Sequence, residues 1–139
     1  MCVSNYCLID RDENKVEEAW KVFRIGSYRR SRLGLFSWFA DSGPYAFDVW
    51  NHYLQYPLID VDRVGSKERI NGFVAYKNKE DAYKSHEASF VGKLMNGTLT
   101  TVLKVQLKNV VAVGEDTGRV VYIAEEMKIA MDMAGMVAV

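Results

Sequence analysis

Two cysteines in 139 residues, Cys2 and Cys7, both at the start, are too few for a disulfide scaffold. No charged segment followed by an apolar run precedes them, so nothing resembles a secretory leader. No apolar run reaches the roughly 20 residues that a membrane helix needs. Charge of one sign is also missing: 18 Lys and Arg balance 18 Asp and Glu. Hence no global field attracts nucleic acid or an anionic membrane. The same neutrality lowers the repulsion between copies and favours self-association. These absences together imply a soluble, cytoplasmic protein, with no nucleic acid or membrane among its partners.

Motifs of familiar chemistry are missing too. Gly92-Lys93 looks like the end of a phosphate loop, but Glu87 stands where the first glycine belongs and Leu94 replaces the required Ser or Thr. No G-x-G-x-x-G supports a dinucleotide site. Cys2, Cys7, His52 and His86 match no zinc spacing, and four residues between strand cysteines put their side chains on opposite faces. With Met1 ahead of it, Cys2 has no free amine to act as a nucleophile's base. Glu115-Asp116 and Glu125-Glu126 read as solvated surface pairs, and His86 as a hydrogen-bonded core histidine. No cofactor is implied.

What is present is ordinary globular material, 49% apolar and 26% charged, without repeats or linkers. The chain reads as one domain over residues 1–139. A first strand is expected over residues 2–9, then a charged turn over 10–14. Residues 15–25 fit both helical and strand spacing, and a strand over 19–25 is the preferred assignment. Residues 57–64 read as an edge strand or a loop. Residues 72–76 form a short β-rich run. Asn78 caps a helix over 79–94, with Asp81 in a capping-box-like position and Ala82, Tyr83, His86, Phe90 and Leu94 on one apolar face. Asn96-Gly97 ends that helix. Residues 100–113 are the strongest strand signal, 114–118 read as a hairpin turn, and 119–123 as the return strand. Met127, Ile129, Met131 and Met133 continue with strand alternation. The expected fold is α+β: a mainly antiparallel sheet of about five to seven strands with one principal helix packed on it.

The most unusual stretch holds Phe36, Trp38, Phe39, Tyr45, Phe47, Trp50, Tyr53 and Tyr56, broken by the turn at 41–44 and preceded by Arg29, Arg30 and Arg32. These rings are either core packing or a stacking surface to which the arginines add cation–π contacts. The tail, residues 133–139, carries no charge and must pair within the sheet or dock on another chain. The interface candidates are therefore Arg29, Arg30, Arg32, Trp38, Phe39, Tyr45, Trp50 and Tyr53, with Met136 and Val137 in the tail.

A combination of short segments carries a resemblance: the initial MC, KVF at 21–23, GFVAYK at 72–77 with the following EDA, VLKVQLKNVVAVGED at 102–116 and VVYIAEEM at 120–127. It resembles small proteins of tailed phages and their bacterial relatives, from which it departs at Val74, where those proteins usually carry histidine. The resemblance implies a virus-encoded, non-catalytic protein that binds a host or viral protein, or itself, as an accessory factor or virion component. A fainter likeness is to ADP-ribosyltransferase-like folds; it implies a small enzyme or nucleotide-binding protein in which Tyr76, Tyr83 and Glu125 or Glu126 would be the site.

Overall fold

Two long strands at the end of the chain organise the molecule. The computed structural model describes residues 4–10, 12, 14–28, 32–37, 44–53, 59–61, 68–70, 72–94 and 99–130. In chain order its elements are β1 (Ser4–Leu8), β2 (Val16–Tyr28), β3 (Arg32–Ser37), β4 (Trp50–His52), β5 (Ile59–Val61), β6 (Glu68–Ile70), β7 (Phe73–Tyr76), α1 (Lys79–Leu94), β8 (Leu99–Asp116) and β9 (Arg119–Ile129). Seven strands form an antiparallel sheet in the order β1-β8-β2-β7-β9-β4, with β3 on β2, while β5 and β6 make a separate hairpin. This is a single α+β domain with one principal helix, the expected class.

β8 and β9 pair from Val105↔Ile129 to Asp116↔Arg119. The residues that join them are Thr117 and Gly118, at φ 50° and 80°. Two central residues at positive φ are what a two-residue type I′ hairpin requires, because its twist matches that of the strands. The expected turn over 114–118 is thus shorter in the structure, and residues 114–116 belong to the strand. A β-branched threonine is a poor occupant of that backbone region. We expect Thr117→Asn, which gives the favoured Asn-Gly pair, to raise stability by about 0.5–1 kcal/mol in urea unfolding.

The other edge of β8 carries β2, paired from Val16↔Lys108 to Ile25↔Leu99, and then β1, which ends at Leu8↔Ala112. β9 carries β7 and β4 on its far edge. One further pair, Trp20↔Tyr76, joins β2 to β7 and closes the strands β8, β2, β7 and β9 into a ring. The main core cluster includes Ala19, Phe23, Phe73, Ala75, Val105, Leu107, Met127 and Ile129. Val22, Tyr76 and Val121 point the other way and meet Ala82 of α1. β2 is therefore buried on both faces, which explains why its sequence suits neither pure alternation nor a clean helical stripe.

α1 spans the residues expected of it, with Glu80 and Asp81 in its positive first turn. Its first backbone bond runs from Ala82 N–H to the Asn78 carbonyl at 3.3 Å. The Asn78 amide reaches the Asp81 carboxylate at 3.4 Å, so the side chains bond each other in place of a capping box. Of the expected apolar face, Phe90 and Leu94 have side chains outside the described ones, and Tyr83 departs from it. Ala82 is fully buried, while Tyr83 is 43% exposed and lies beneath the Lys79 ammonium at 5.8 Å. Under the helix, the Tyr76 hydroxyl donates to Asp116 Oδ2 at 2.6 Å and meets Ser85 Oγ at 3.0 Å. Burial first, and then that bond to Asp116, push the phenol up to about 12.

Lys21 stands among these core strands with 7% of its surface exposed. Its Nζ donates to the Val74 carbonyl at 2.7 Å. The Lys77 N–H bonds the Val120 carbonyl, so the odd residues of β7 address β9 and Val74 addresses β2. Beyond Trp20, β2 pairs with β3 and leaves that carbonyl without a strand partner. The lysine supplies the missing donor. Burial lowers its pKa to about 8.

Candidate functional site: a tryptophan held between lysines

The candidate site is assembled on β4, β9 and β8 by the segment that precedes β4. Tyr45 N–H bonds the Leu35 carbonyl at 3.0 Å, and its ring meets Phe23 and Phe73 edge-on at 5.9 and 5.8 Å. Phe47 packs on the same core. Asp48 then takes φ 58° and sends its N–H to the Ile129 carbonyl at 2.8 Å. Asp is among the residues that tolerate this left-handed backbone, which reverses the chain onto β9.

Asn51 fixes the result. Its Oδ1 accepts the Ala46 N–H at 3.0 Å, while Nδ2 donates to the Ala46 carbonyl at 3.0 Å and the Met127 carbonyl at 3.1 Å. Asn51 pairs with Met127, so strand alternation puts Trp50 and His52 on the opposite face with their partners Lys128 and Glu126. There the Trp50 ring centroid lies 5.6 Å from Lys108 Nζ and 5.9 Å from Lys128 Nζ. Each ammonium is attracted by the negative face of the indole, with about 0.5–1 kcal/mol per contact at such partly exposed positions.

Beside the tryptophan, a row of polar groups crosses three strands. His52 pairs with Glu126, and Glu126 with Lys108. Glu126 Oε1 accepts His52 Nδ1 at 3.0 Å and Oε2 accepts Asn109 Nδ2 at 3.0 Å. With both oxygens so engaged, neither Lys108 nor Lys128 has a carboxylate within ion-pair distance among the described residues. A carboxylate can only accept, so the Nδ1 of His52 carries the proton of this bond. Asn109 sits at φ 54° in the middle of β8, and its Oδ1 is buried without a hydrogen-bond partner. A left-handed residue within a strand and an orphaned acceptor beside it are features that concentrate where a protein works. Chemically, the surface offers a flat ring, two ammonium groups and an imidazole. It can hold an anionic group beside an apolar one.

Of the interface candidates named from sequence, Trp50 lies in this site. Tyr45 and Tyr53 line the core instead: both are half-buried, and Tyr53 meets Phe73 at 5.5 Å. The aromatic stretch thus divides between packing and surface. Arg32 opens β3 opposite Tyr28. Arg29, Arg30, Trp38, Phe39, Met136 and Val137 lie outside the described residues, as do Met131, Met133 and Asn96-Gly97. An arginine–ring contact does form, but through Arg24, whose guanidinium is 4.7 Å from the Phe36 ring centroid.

The groups suggested by the ADP-ribosyltransferase likeness each have other company. Tyr76 is bonded to Asp116 and Ser85, Tyr83 contacts Lys79, and Glu126 serves His52 and Asn109. His86 meets the Thr100 hydroxyl at 2.9 Å. Among the described residues, no group of three or more His, Cys, Asp or Glu could hold a metal ion, and no helix is long and apolar enough to cross a membrane.

Lys108, Lys128, Glu126 and Asn109 were not among the interface candidates. The two lysines occupy alternate positions of strands whose other positions are apolar, so their outward direction was legible. Their meeting over Trp50 was not. Compared with known proteins, the chain matches no family model, no curated protein and no solved structure.

Proposed function

We propose that this chain is a non-catalytic binding protein whose Trp50 face takes an acidic segment of a partner protein. The observation that carries this is the Trp50 ring with the Lys108 and Lys128 ammonium groups 5.6 and 5.9 Å from its centroid, while the nearby carboxylate of Glu126 is occupied by His52 and Asn109. Two ammonium groups that form no ion pair among the described residues favour a partner's Asp or Glu. The fixed indole offers a rigid anchor, the residue type that most often dominates interface energetics. The resemblance to tailed-phage proteins supports a partner of host or viral origin, met in the cytoplasm of an infected cell or within a particle.

The test is a binding titration against peptides that carry Asp or Glu next to an aromatic residue, each with an Asn or Gln counterpart. Acidic peptides are expected to bind more tightly and to weaken as salt is raised. Trp50→Ala should lower their affinity by at least about tenfold, or about 1.4 kcal/mol, with an unchanged unfolding midpoint. Equal binding of acidic and neutral peptides, or full affinity in Trp50→Ala, would overturn the proposal.

A further inference from the structure

Asn109 breaks the alternation of β8, and the break falls beside the tryptophan. Leu107 and Val110 both belong to the main core cluster, whereas strict alternation would place Leu107 and Asn109 on one face. On β9, Met127 and Ala124 share the core at the same irregular spacing. The left-handed Asn109, at φ 54°, thus shifts the phase of β8 between these core positions. Its side chain is only part-buried, and Nδ2 donates to Glu126 Oε2 at 3.0 Å. The amide makes this bond although its own Oδ1 stays buried without a partner.

What the bond prevents follows from the register. Glu126 stands directly opposite Lys108. Opposite charges at such a cross-strand position ordinarily attract each other, with β-carbons about 5 Å apart. Here Glu126, with 13% of its side chain exposed, is held instead between His52 Nδ1 on one oxygen and Asn109 Nδ2 on the other. The Lys108 ammonium lies 5.6 Å from the Trp50 ring centroid. Glycine would serve the left-handed backbone at 109 with no orphaned acceptor. The amide donor is what glycine lacks.

We infer that Asn109 is a specificity-determining residue of the Trp50 face: it keeps Glu126 off Lys108, so that the lysine stays available to a partner's carboxylate. The inference rests on the reading of that face as a site for an acidic segment. It adds that the preference for acid is set by a positioning residue, which acts through Glu126 and need not touch the partner.

Asn109→Gly separates the turn from the amide, because glycine suits φ 54° and carries no donor side chain. In a variant that keeps the amide spectrum of the native fold, Glu126 is expected to turn to Lys108. Affinity for acidic peptides should fall about three- to fivefold, while that for their Asn and Gln counterparts stays level. Adding Glu126→Gln to the same chain should restore it. A second readout needs no peptide. The ε-methylene protons of Lys108 should carry a ring-current shift from Trp50 in the native protein, lose it in Asn109→Gly and regain it in the double variant. Full acid preference in Asn109→Gly, a loss that Glu126→Gln does not restore, or an unchanged Lys108 shift would overturn the inference. If the native protein shows no preference for acidic peptides, the reading of the face falls, and the Lys108 shift decides whether Asn109 holds Glu126 away. If Asn109→Gly does not fold, Asn109→Asp, which suits the same backbone and lacks the donor, replaces it, and a retained Lys108 shift is then the overturning result.

Discussion

Replacing Lys21 with methionine is expected to remove a rise in stability between pH 8 and pH 10 that the native protein owes to this side chain. The lysine's pKa is about 8 in the folded chain, against an ordinary 10.5. Below pH 8 both states carry the proton, and the folded state bears the full cost of burying the charge. Between pH 8 and 10.5 the unfolded chain binds a proton that the folded chain has released, so stability increases with pH. The difference of about 2.5 pH units corresponds to about 3 kcal/mol. Tyr76 acts in the other sense. Its folded pKa of about 12 lies above the ordinary 10, so the unfolded chain ionises first and stability falls above pH 10. The native protein should therefore be most stable near pH 10.

At pH 7 the methionine variant escapes the charge burial but leaves the Val74 carbonyl without its donor, a loss of about 1–3 kcal/mol. A net change near zero or a small gain is expected there. The slope is the decisive readout. Urea midpoints measured from pH 6 to 10 should climb in the native protein and stay level in Lys21→Met. A climb that persists in the variant would assign it to another group.

A second large effect is expected at Gly72. A Cβ there would lie 2.7 Å from Ile123 Cγ2 and 2.9 Å from the Ala124 carbonyl oxygen. Neither neighbour can swing aside. Ile123 is fully buried and β-branched, and the other atom is backbone. Gly72→Ala can be accommodated only by moving β7 off β9, which displaces Phe73 and Ala75 from the core. The expected loss is about 2–3 kcal/mol, read as a lower urea midpoint. A loss below about 0.5 kcal/mol would mean that β7 can slide without disturbing its neighbours.

These two positions also mark the boundary of what the sequence discloses. The helix at 79–94 and the strands around 100–113 and 119–123 were legible because caps, turn residues and β-branched runs are local signals. Tyr83 misled because a helical stripe names a face without saying how wide the buried strip is, and here Ala82 is buried while Tyr83 beside it is 43% exposed. Lys21 looks in isolation like a solvated strand residue. Only its setting among Ala19, Trp20, Val22 and Phe23, apolar on both sides, hints that β2 is covered twice. For the candidate site, Trp50 was named as an interface candidate from a stretch that read equally as core or surface, and its partners come from the far end of the chain. Which outward lysines converge depends on register across β4, β9 and β8, and a single Asn109 in left-handed backbone is a tertiary decision that the run LKNVVAV marks only as a polar interruption.

The pairing order has one more consequence, in time. Among the described residues β1 pairs only with β8 and β4 only with β9, and the ring cannot close before both long strands exist. On the ribosome, the first two-thirds of the chain emerge before the strands they must pair with. Until then the β2–β3 and β5–β6 hairpins, the helix and the lone Trp20↔Tyr76 bridge are what those residues can form. The β8–β9 hairpin is the most local large pairing and follows them in the chain. Phe23 and Phe73 therefore stay uncovered until β8 and β9 have emerged to receive them.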